Sequence, residues 1–403
     1  MHVAHIIDQL DGIGGVQTYL GDLFPALAAK GVESSVLVGR PTAATSFSGA
    51  RVVSLPETQS DGARLSRSDA RRVGAALRGL RVDACMVHVA PSPGLAAAAA
   101  AVAPTIVFAH DYFPACPGNA RYLHTSETFC AEGPGGRCFR RAYTERCTNR
   151  RPDRLLRSTA RERAWRNGWG AVARLLVASP FVADVLLADG APPDRLDVVP
   201  YFVQPAAPAT DAEECDVLFL GRLVALKGAH VLVRALAKMP GVTAVIGGDG
   251  PERPRLEALA HQLGGGDCVR FPGVVSPEGR SRLLAGAKVF ALPSLWNEPF
   301  GISGLEALAA GVPVVGSDLG GIPSWLIDER VGLRVPAGDD GALASALARI
   351  LADAALRARM AAAGRETAAE FSIDRHVDGL MRAIDVACAW SSGQTHGTHR
   401  APR

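Results

Sequence analysis

The sequence predicts an α/β protein built from two Rossmann-like domains, each a parallel sheet with helices on both faces. Short runs of β-branched residues alternate with helical patterns along most of the chain, which is typical of parallel sheets. A proline- and alanine-rich stretch, 201–214, separates two such series and is interpreted as an interdomain linker. The length of 403 residues also exceeds what one hydrophobic core usually supports.

Composition indicates a globular protein, with 48% hydrophobic and 21% charged residues. A net charge of +3 is too small to indicate nucleic acid as a partner. The N-terminus MHVAHIIDQLDG does not have the pattern of a secretory signal. The longest apolar stretch, 94–109, is dominated by alanine and interrupted by Pro104, which is unlike a membrane span. We therefore expect a cytoplasmic protein.

The first domain is expected to span residues 1–204. Its strands are predicted at 3–7, 34–39, 51–55, 83–89, 105–109, 174–179 and 197–200. The first helix is VQTYLGDLFPALAAKG, whose apolar positions recur at helical spacing and which ends at Gly31. An insert rich in cysteine and arginine, 111–170, interrupts this domain.

The second domain is expected to span residues 205–372. Its strands are predicted at 215–221, 243–248, 268–273, 288–294 and 313–317. The pattern then becomes helical, with a last helix at 373–390 that returns to the first domain and a polar tail at 391–403 that we expect to be disordered. Ligands bind beyond the carboxyl ends of the strands in such sheets, so two domains would place two binding edges across a cleft.

The loop LGRLVALKG, 220–228, directly follows the first strand of the second domain, and a helix is expected to open near Ala229. A loop between the end of a strand and the start of a helix suits an anion. Two cations in that loop, Arg222 and Lys227, suit a diphosphate. A solvated loop with incidental charges is the alternative.

The turn EPFGISGLE, 298–306, carries the second group of candidate residues. We expect a helix to begin near Ser303, whose hydroxyl would cap it, so that backbone N–H groups before it face a ligand. Gly301 and Gly304 would let the ligand approach the backbone closely.

Two carboxylates bracket this turn. Glu298 precedes it, and Glu306 is expected in the first helical turn, where an acid also stabilises the helix by itself. Both can accept hydrogen bonds from sugar hydroxyls. The helix-stabilising explanation does not cover Glu298.

Five segments together resemble the second domain of the retaining glycosyltransferases of family 4, which have the GT-B fold. They are RLVALKG, GGDGP (247–251), FPGVV (271–275), EPFGISGLE and GVPVVGSDLGGIP, in the family order. Glu298 and Glu306 stand at the spacing of that family's E-x7-E motif. The resemblance is strong over 215–385 and looser in the first domain, where it rests on glycines 12, 14 and 15 and on the His–Asp pair at His110.

The resemblance implies a role for each matching residue. Arg222 and Lys227 would hold the donor diphosphate, Glu298 would bind hydroxyls of the transferred sugar, and Glu306 would bind the ribose. The backbone of Phe300, Gly301 and Ile302 would lie beside the sugar, and the FPGVV segment with Val274 would lie against the nucleobase.

In the first domain, the resemblance implies that Gly14 and Gly15 let a loop approach the phosphates or the acceptor. His110, at the end of the strand TIVFA, would face the donor sugar. A capping histidine at the end of a strand is the alternative for this residue.

The implied activity is retaining, metal-independent transfer of a hexosyl group from a UDP-, GDP- or ADP-sugar to a hydroxyl acceptor. The acceptor is a glycan, a lipid-linked molecule or a small molecule. No D-x-D motif occurs in the sequence, so cations are expected to replace a catalytic metal. A sugar-nucleotide epimerase of the same fold is the main alternative. A nicotinamide-dependent enzyme is less consistent with the sequence, since Gln17 stands where G-x-G-x-x-G needs its third glycine.

Four cysteines, Cys116, Cys130, Cys138 and Cys147, lie close together in the insert. Their spacing lacks the paired C-x2-C of ordinary zinc sites. The sequence leaves open a structural metal site, reduced or redox-active thiols, and disulfides.

The insert also holds eleven arginines against three acids between Arg137 and Arg166. A run of charge is usually a solvated face, but an anionic acceptor or peripheral contact with an anionic membrane is the alternative. Trp165 and Trp169 would then mark an interfacial helix.

Overall fold

The computed structural model describes residues 1–8, 15–39, 46–59, 63–89, 92–206 and 211–395. The chain forms two compact units, the first from Met1–Pro200 with the helix that begins at Ile373, and the second from Tyr201–Ser372. The boundary between them falls at Pro200, where the sequence suggests residue 204.

The first unit contains an all-parallel sheet and a small insert with its own hairpin. Its strands are β1 (His2–Ile7), β2 (Glu33–Val38), β3 (Ala50–Ser54), β4 (Ala84–Val89), β5 (Thr105–Ala109), β6 (Tyr122–Leu123), β7 (Thr128–Phe129), β8 (Arg174–Val177) and β9 (Leu196–Val198). Seven of them form the sheet in the order β3-β2-β1-β4-β5-β8-β9, and β6 pairs with β7 antiparallel. The carboxyl ends of β1, β4 and β5 therefore meet at one edge.

Helices cover this sheet because their apolar faces bury against it. They are α1 (Gly15–Ala29), α2 (Arg67–Leu80), α3 (Pro93–Ala100), α4 (Arg137–Thr144), α5 (Pro152–Gly168) and α6 (Pro180–Ala188). Local sequence sets several boundaries: the Ser66 hydroxyl accepts from the Asp69 N–H at the start of α2, and Ser179 caps α6, where Pro180 takes the first helical position.

The second unit has a six-stranded parallel sheet. Its strands are β10 (Cys215–Leu220), β11 (Ala244–Gly247), β12 (Val269–Gly273), β13 (Ala287–Leu292), β14 (Val314–Ser317) and β15 (Gly332–Val335). Its helices are α7 (Ala229–Leu236), α8 (Arg253–Gln262), α9 (Pro277–Gly286), α10 (Ile302–Ala309), α11 (Asp340–Ala352) and α12 (Ala354–Ala369). The strand order β12-β11-β10-β13-β14-β15 reverses at β10, which is where such sheets bind ligands. Strand β15 has no counterpart among the strands predicted from the sequence.

A last helix, α13 (Ile373–Thr395), packs on the first unit. His376 Nδ1 donates to the carbonyl oxygen of Pro200 (2.6 Å), and the Tyr19 hydroxyl lies 2.8 Å from His376 Nε2. The disorder expected from 391 is wrong for 391–395, which are helical, while 396–403 lie outside the described residues. The helix continues because Trp390 is held 4.7 Å from the Arg195 guanidinium and no proline follows before residue 395. Among the described helices, none is long and apolar enough to cross a bilayer.

Candidate functional site

The predicted diphosphate loop lies between β10 and α7, at the carboxyl end of the sheet of the second unit. It makes a short 3-10 turn, Ala225–Lys227, and then passes through Gly228 with φ +68°. A Cβ on Gly228 would lie 1.8 Å from the carbonyl oxygen of Pro293, so only glycine lets the loop run this close to the segment after β13. The Leu295 N–H donates to the Leu226 carbonyl (2.8 Å) and joins the two loops.

Lys227 and Glu298 form an ion pair across these loops. Lys227 Nζ donates to Glu298 Oε1 at 2.7 Å, and the Ser294 hydroxyl donates to the same oxygen at 2.6 Å. The side chains are 27% and 6% exposed respectively, so the carboxylate is almost entirely removed from water. The Trp296 ring centroid lies 5.6 Å from the ammonium group. Two residues from separate sequence motifs therefore form one polar centre.

Arg222, the other predicted diphosphate ligand, follows β10 directly and is exposed. No hydrogen bond or ion pair joins its side chain to the described part of the chain. Its guanidinium donors are therefore available to an anion.

The GGDGP segment holds the backbone around Arg222 in place, a role that the sequence analysis did not assign. Gly248 (φ +132°) and Gly250 (φ +156°) adopt conformations reserved for glycine. A Cβ on Gly248 would lie 1.8 Å from the carbonyl oxygen of Gly221, and one on Gly250 would lie 2.4 Å from that of Leu223. The two loops therefore touch through their backbones.

Helix α10 starts differently from the prediction. It begins at Ile302, and its N-cap is Gly301 with φ +87°, with no side chain making the capping bond. The prediction that Ser303 caps the helix is wrong, because the left-handed turn at Gly301 starts the helix two residues earlier and places Ser303 inside it.

Gly304 also has a different role from the predicted one. A Cβ there would lie 2.3 Å from the Trp325 ring, so this glycine makes room for a buried tryptophan rather than for a ligand. The Trp325 Nε1–H donates to the Phe300 carbonyl oxygen at 2.6 Å. Phe300 itself is buried, with its ring 5.7 Å from that of Tyr201. Contacts with Trp325 and Tyr201 thus hold the turn in place from its buried side.

Glu306 is the fifth residue of α10, and no acid lies in the first turn of this helix. The expectation that it stabilises the helix start is therefore wrong. Its Oε1 instead accepts from Arg280 Nη1 of α9 at 2.7 Å. Sequence reasoning missed Arg280, which no motif marked.

Of the remaining residues predicted to bind the donor, the structure describes Val274 and Gly15. Val274 follows β12 and is 65% exposed, so its side chain presents an apolar surface to solvent. Gly15 is the first residue of α1, and a Cβ there would meet no atom within 4 Å. Gly14 lies outside the described residues.

In the first unit, His110 ends a chain of three buried histidines. His110 Nε2 lies 3.0 Å from His88 Nδ1, and His88 Nε2 lies 3.0 Å from His5 Nδ1. Burial lowers the pKa of His5 and of His110 to about 3, and that of His88 well below its ordinary value. Neighbouring histidine charges lower them further. All three rings are therefore neutral near pH 7.

The direction of this chain follows from hydrogen-bond accounting. A neutral imidazole has one N–H and one bare nitrogen, so one choice of tautomer fixes all three. His5 Nε2 is buried with no partner among the described residues. Since a buried N–H without a partner is rarer than an unpaired acceptor, we assign donation from His5 to His88 to His110, which leaves the proton of His110 on Nδ1.

Asp111, the residue after His110, is half-buried and interacts electrostatically with the buried acid Glu162. Burial raises the pKa of Asp111 to about 6 and that of Glu162 to about 7, although Arg161 opposes both shifts. Glu162 accepts from Arg161 Nε at 3.0 Å, while its Oε2 is buried without a partner among the described residues. Sequence reasoning missed Glu162, which was counted only as one acid among many arginines.

The four insert cysteines line one small cavity, and all four are free thiols. In the part of the chain that the structure describes, no three histidine, cysteine or acidic side chains form a group that could hold a metal ion. The predicted metal site is therefore not preformed.

The prediction of an interfacial helix marked by Trp165 and Trp169 is wrong. The two rings are 1% and 5% exposed and pack on each other with centroids 5.7 Å apart, because α5 turns this face towards the interior of the unit. Several arginines of the insert are paired rather than free. Their partners are Glu132 for Arg137 and Arg141, Asp153 for Arg157, and Asp189 for Arg166.

Two family models match the chain, one for each unit. Residues 14–201 match the model described as glycosyl transferase 4-like domain, and residues 203–367 match the model described as glycosyl transferases group 1.

Curated relatives match over part of their length. The lipopolysaccharide core biosynthesis glycosyltransferase LpsE of Rhizobium meliloti is 38% identical over 43% of this chain and 51% of its own. A D-inositol 3-phosphate glycosyltransferase of Acidothermus cellulolyticus is 34% identical over 52% of this chain and 53% of its own. The chain thus spans about half the length of these relatives.

Solved structures match over nearly the whole chain. HepE of Anabaena, in complex with UDP, is 17% identical with a TM-score of 0.70, covering 96% of this chain and 100% of that one. A glycosyltransferase of Rickettsia africae is 15% identical with a TM-score of 0.72, covering 96% and 98%. At these identities the likeness shows the fold, and the predicted GT-B fold is confirmed.

Proposed function

The chain belongs to the group 1 glycosyltransferases of the GT-B fold, and from this premise we propose that it transfers a hexosyl group from a nucleotide-diphospho-sugar to a hydroxyl acceptor. The descriptions of both matching family models favour transfer over epimerisation. The structure of HepE, a structural neighbour, contains bound UDP, so UDP-sugars are the first donors to test.

The contact between Lys227 and Glu298 is the observation that carries this proposal. It joins the cationic loop after β10 to the acidic turn before α10, at 2.7 Å. A diphosphate would compete with Glu298 for the ammonium group, since phosphate oxygens accept strong charge-assisted bonds. Glu298, still held by Ser294, would then accept hydrogen bonds from a sugar hydroxyl.

Arg222 and Glu306 would complete the donor site. Arg222, exposed and unpaired within the described part of the chain, would add a second cation to the diphosphate. Glu306 would bind the ribose hydroxyls, and Arg280 would keep its carboxylate in place. The N-terminal end of α10, with Phe300, Gly301 and Ile302, would face the sugar, and Val274 would contact the nucleobase.

We further infer that transfer retains the anomeric configuration and needs no metal. Arg222 and Lys227 would neutralise the charge that develops on the departing nucleoside diphosphate. Any metal in the protein would then be structural, held by the four cysteines of the insert, with no part in transfer.

His110 is assigned to the transferred sugar. Its position at the end of β5 and the tautomer fixed by His88 support this role, since an Nδ1–H would be a donor of constant protonation above about pH 4. Gly14 and Gly15 would border the phosphates or the acceptor.

The acceptor is proposed to be a hydroxyl of a glycan, lipid-linked or small molecule, with a cytoplasmic enzyme acting alone or at the surface of an anionic membrane. The exposed arginines of the insert support the membrane contact. Several of these arginines are neutralised by acids, which limits the charge available for it.

The test is a screen of UDP-, GDP- and ADP-sugars by calorimetry, followed by analysis of products by NMR. A group 1 transferase should bind one class of donor and give a glycoside whose anomeric configuration matches the donor. Lys227→Met should lose donor affinity, whereas Lys238→Met, a surface lysine paired with Asp340, should keep it. Failure to bind any of the donors, or an altered free sugar nucleotide as the product, would overturn the proposal.

A further inference from the structure

We propose that the insert of the first unit is a zinc-binding module in which Cys116, Cys130, Cys138 and Cys147 are the four ligands. This site is separate from the proposed transfer chemistry, so it stands or falls independently of it. The positions of the four cysteines, the groups around them and the small apolar core of the insert support such a site.

The four cysteines come from four separate backbone segments and line one cavity. Cys116 lies in the loop after β5, Cys130 follows β7, Cys138 is in the first turn of α4, and Cys147 follows α4. The paired C-x2-C spacing of ordinary zinc sites is absent because each ligand arrives on its own segment. Convergence of this kind can be seen only in three dimensions.

The cavity has the size of a single small occupant. Its volume is about 20 Å³, while a single water needs roughly 10–15 Å³. Tyr122 also lines the cavity, and its buried hydroxyl has no hydrogen-bond partner among the described residues. A polar group left unpaired inside a protein indicates an occupant that would satisfy it, such as a water or an ion.

Hydrogen-bond donors are directed at the sulfurs. The backbone N–H of Gly135 donates to the Cys138 sulfur at 3.5 Å. Arg141 Nη1 lies 3.0 Å from the Cys130 sulfur. Such donors favour the thiolate, which is the form that binds metal, against the burial that raises the pKa of Cys116 to about 12 and that of Cys147 to about 11.

Charge balance around the cavity also suits zinc. Four thiolates and one divalent cation carry a net charge of about −2, by the ionic forms given for such sites. Two arginines, Arg121 and Arg141, line the same cavity, and because each is already paired with an acid, Asp189 and Glu132 respectively, they would offset part of that charge. Thiolates prefer soft cations, and four of them in a closed site are typical of structural zinc.

Little else stabilises the insert. Between residues 116 and 150 the buried apolar side chains are Tyr122, Leu123, Pro134 and Ala142. The hairpin β6–β7 has two residues in each strand. A segment with so small an apolar core commonly needs a metal or a disulfide to fold, and all four cysteines are free thiols.

Binding would draw the sulfurs inwards. No three ligands in the described residues yet form a metal-binding group, whereas zinc needs sulfur at about 2.3 Å. Each thiol that binds would release its proton to solvent, so no oxidant or reductant is required. The insert would therefore tighten around the ion.

The experiment is elemental analysis of the full-length protein, purified without chelators or metal-affinity resin. We expect about one zinc per chain, lost in Cys130→Ser/Cys147→Ser and kept in the control Cys268→Ser, a half-exposed cysteine outside the insert. Trypsin adds a structural readout, because removing zinc with a chelator should speed cleavage at the arginines of the insert and added zinc should restore protection.

Three outcomes would overturn the proposal. They are protein without zinc that also fails to bind added zinc, zinc retained in full by the double cysteine variant, and an intact mass that shows disulfides among these four residues. One equivalent of iron in place of zinc would overturn the choice of metal. Donor binding measured on the same preparations would keep this result separate from the fate of the proposed transfer activity.

Discussion

The ion pair between Lys227 and Glu298 gives the sharpest test of the donor site. Lys227→Met removes the ammonium group but keeps much of the side-chain volume, and it leaves a carboxylate that is 6% exposed with Ser294 as its remaining partner. Breaking a fully buried pair costs about 3–5 kcal/mol. Because Lys227 is 27% exposed and water can reach its place, we expect a loss of about 2–3 kcal/mol of unfolding free energy.

A double-mutant cycle separates the pair from its surroundings. Glu298→Gln keeps an acceptor and should cost about 1 kcal/mol, while the double variant leaves no buried charge unpaired. The two losses should therefore not add, and the coupling free energy should be about 1–2 kcal/mol. Lys238→Met is the matched control, since its pair with Asp340 is more exposed and should contribute under about 1 kcal/mol.

Urea unfolding at constant m-value measures these free energies, and initial rates with the donor found in the screen measure function. Lys227→Met should lower kcat/KM by at least about 100-fold, or about 2.7 kcal/mol of transition-state stabilisation. A coupling energy indistinguishable from zero would refute the structural reasoning. Full activity in Lys227→Met would refute the assignment of Lys227 to the diphosphate.

Three further predictions concern the backbone and the buried titratable groups. Gly228→Ala should lower the free energy of unfolding by about 3 kcal/mol or more, because the new methyl group would lie 1.8 Å from the Pro293 carbonyl oxygen and φ would be strained. The control Gly241→Ala, with φ +83° and open space around it, should lower it by only about 1–2 kcal/mol. Equal losses for the two variants in thermal unfolding would contradict this prediction. Burial lowers the pKa values of four histidines, His5, His88, His110 and His376, so these side chains should take up protons when the protein unfolds below about pH 6.5. The free energy of unfolding should therefore fall as the pH drops from about 6.5 towards 4, by up to about 1.4 kcal/mol per pH unit for each ring. A stability that stays constant between pH 7 and 5 would contradict this prediction. Glu162 should affect the pH dependence of stability in the opposite direction, because its pKa is raised to about 7 and its contribution to stability is lost as the pH rises through that value. The variant Glu162→Gln should therefore be more stable than the wild type at pH 8, by on the order of 2 kcal/mol, and no more stable at pH 4. An equal gain at both pH values would argue against the raised pKa.

The sequence was sufficient for every strand of the two parallel sheets except β15, because β-branched runs and helical spacing are local signals. The strands at His2–Ile7 and Cys215–Leu220 could be predicted from a few neighbouring residues each. The same holds for the loop after β10, since the change from strand to glycine-containing turn is visible in LGRLVALKG.

Partners distant in the sequence could not be predicted in this way. Glu298 meets Lys227 across 71 positions, and His5 meets His88 across 83. The start of α10 was misplaced because a serine before an apolar run is a common cap, whereas the competing signal was the left-handed conformation of Gly301. Trp165 and Trp169 were misjudged since their arginine-rich surroundings hid which face of α5 turns inwards.

The loops of the second unit touch one another through main-chain atoms rather than side chains. Gly228 lies against the Pro293 carbonyl, Gly248 against that of Gly221, and Gly320 against that of Glu298. A scaffold braced in this manner separates two kinds of evolutionary change. The glycines that hold the frame cannot vary, whereas an exposed side chain such as Val274 can, and in the proposed donor site a change at Val274 would alter which nucleotide is accepted.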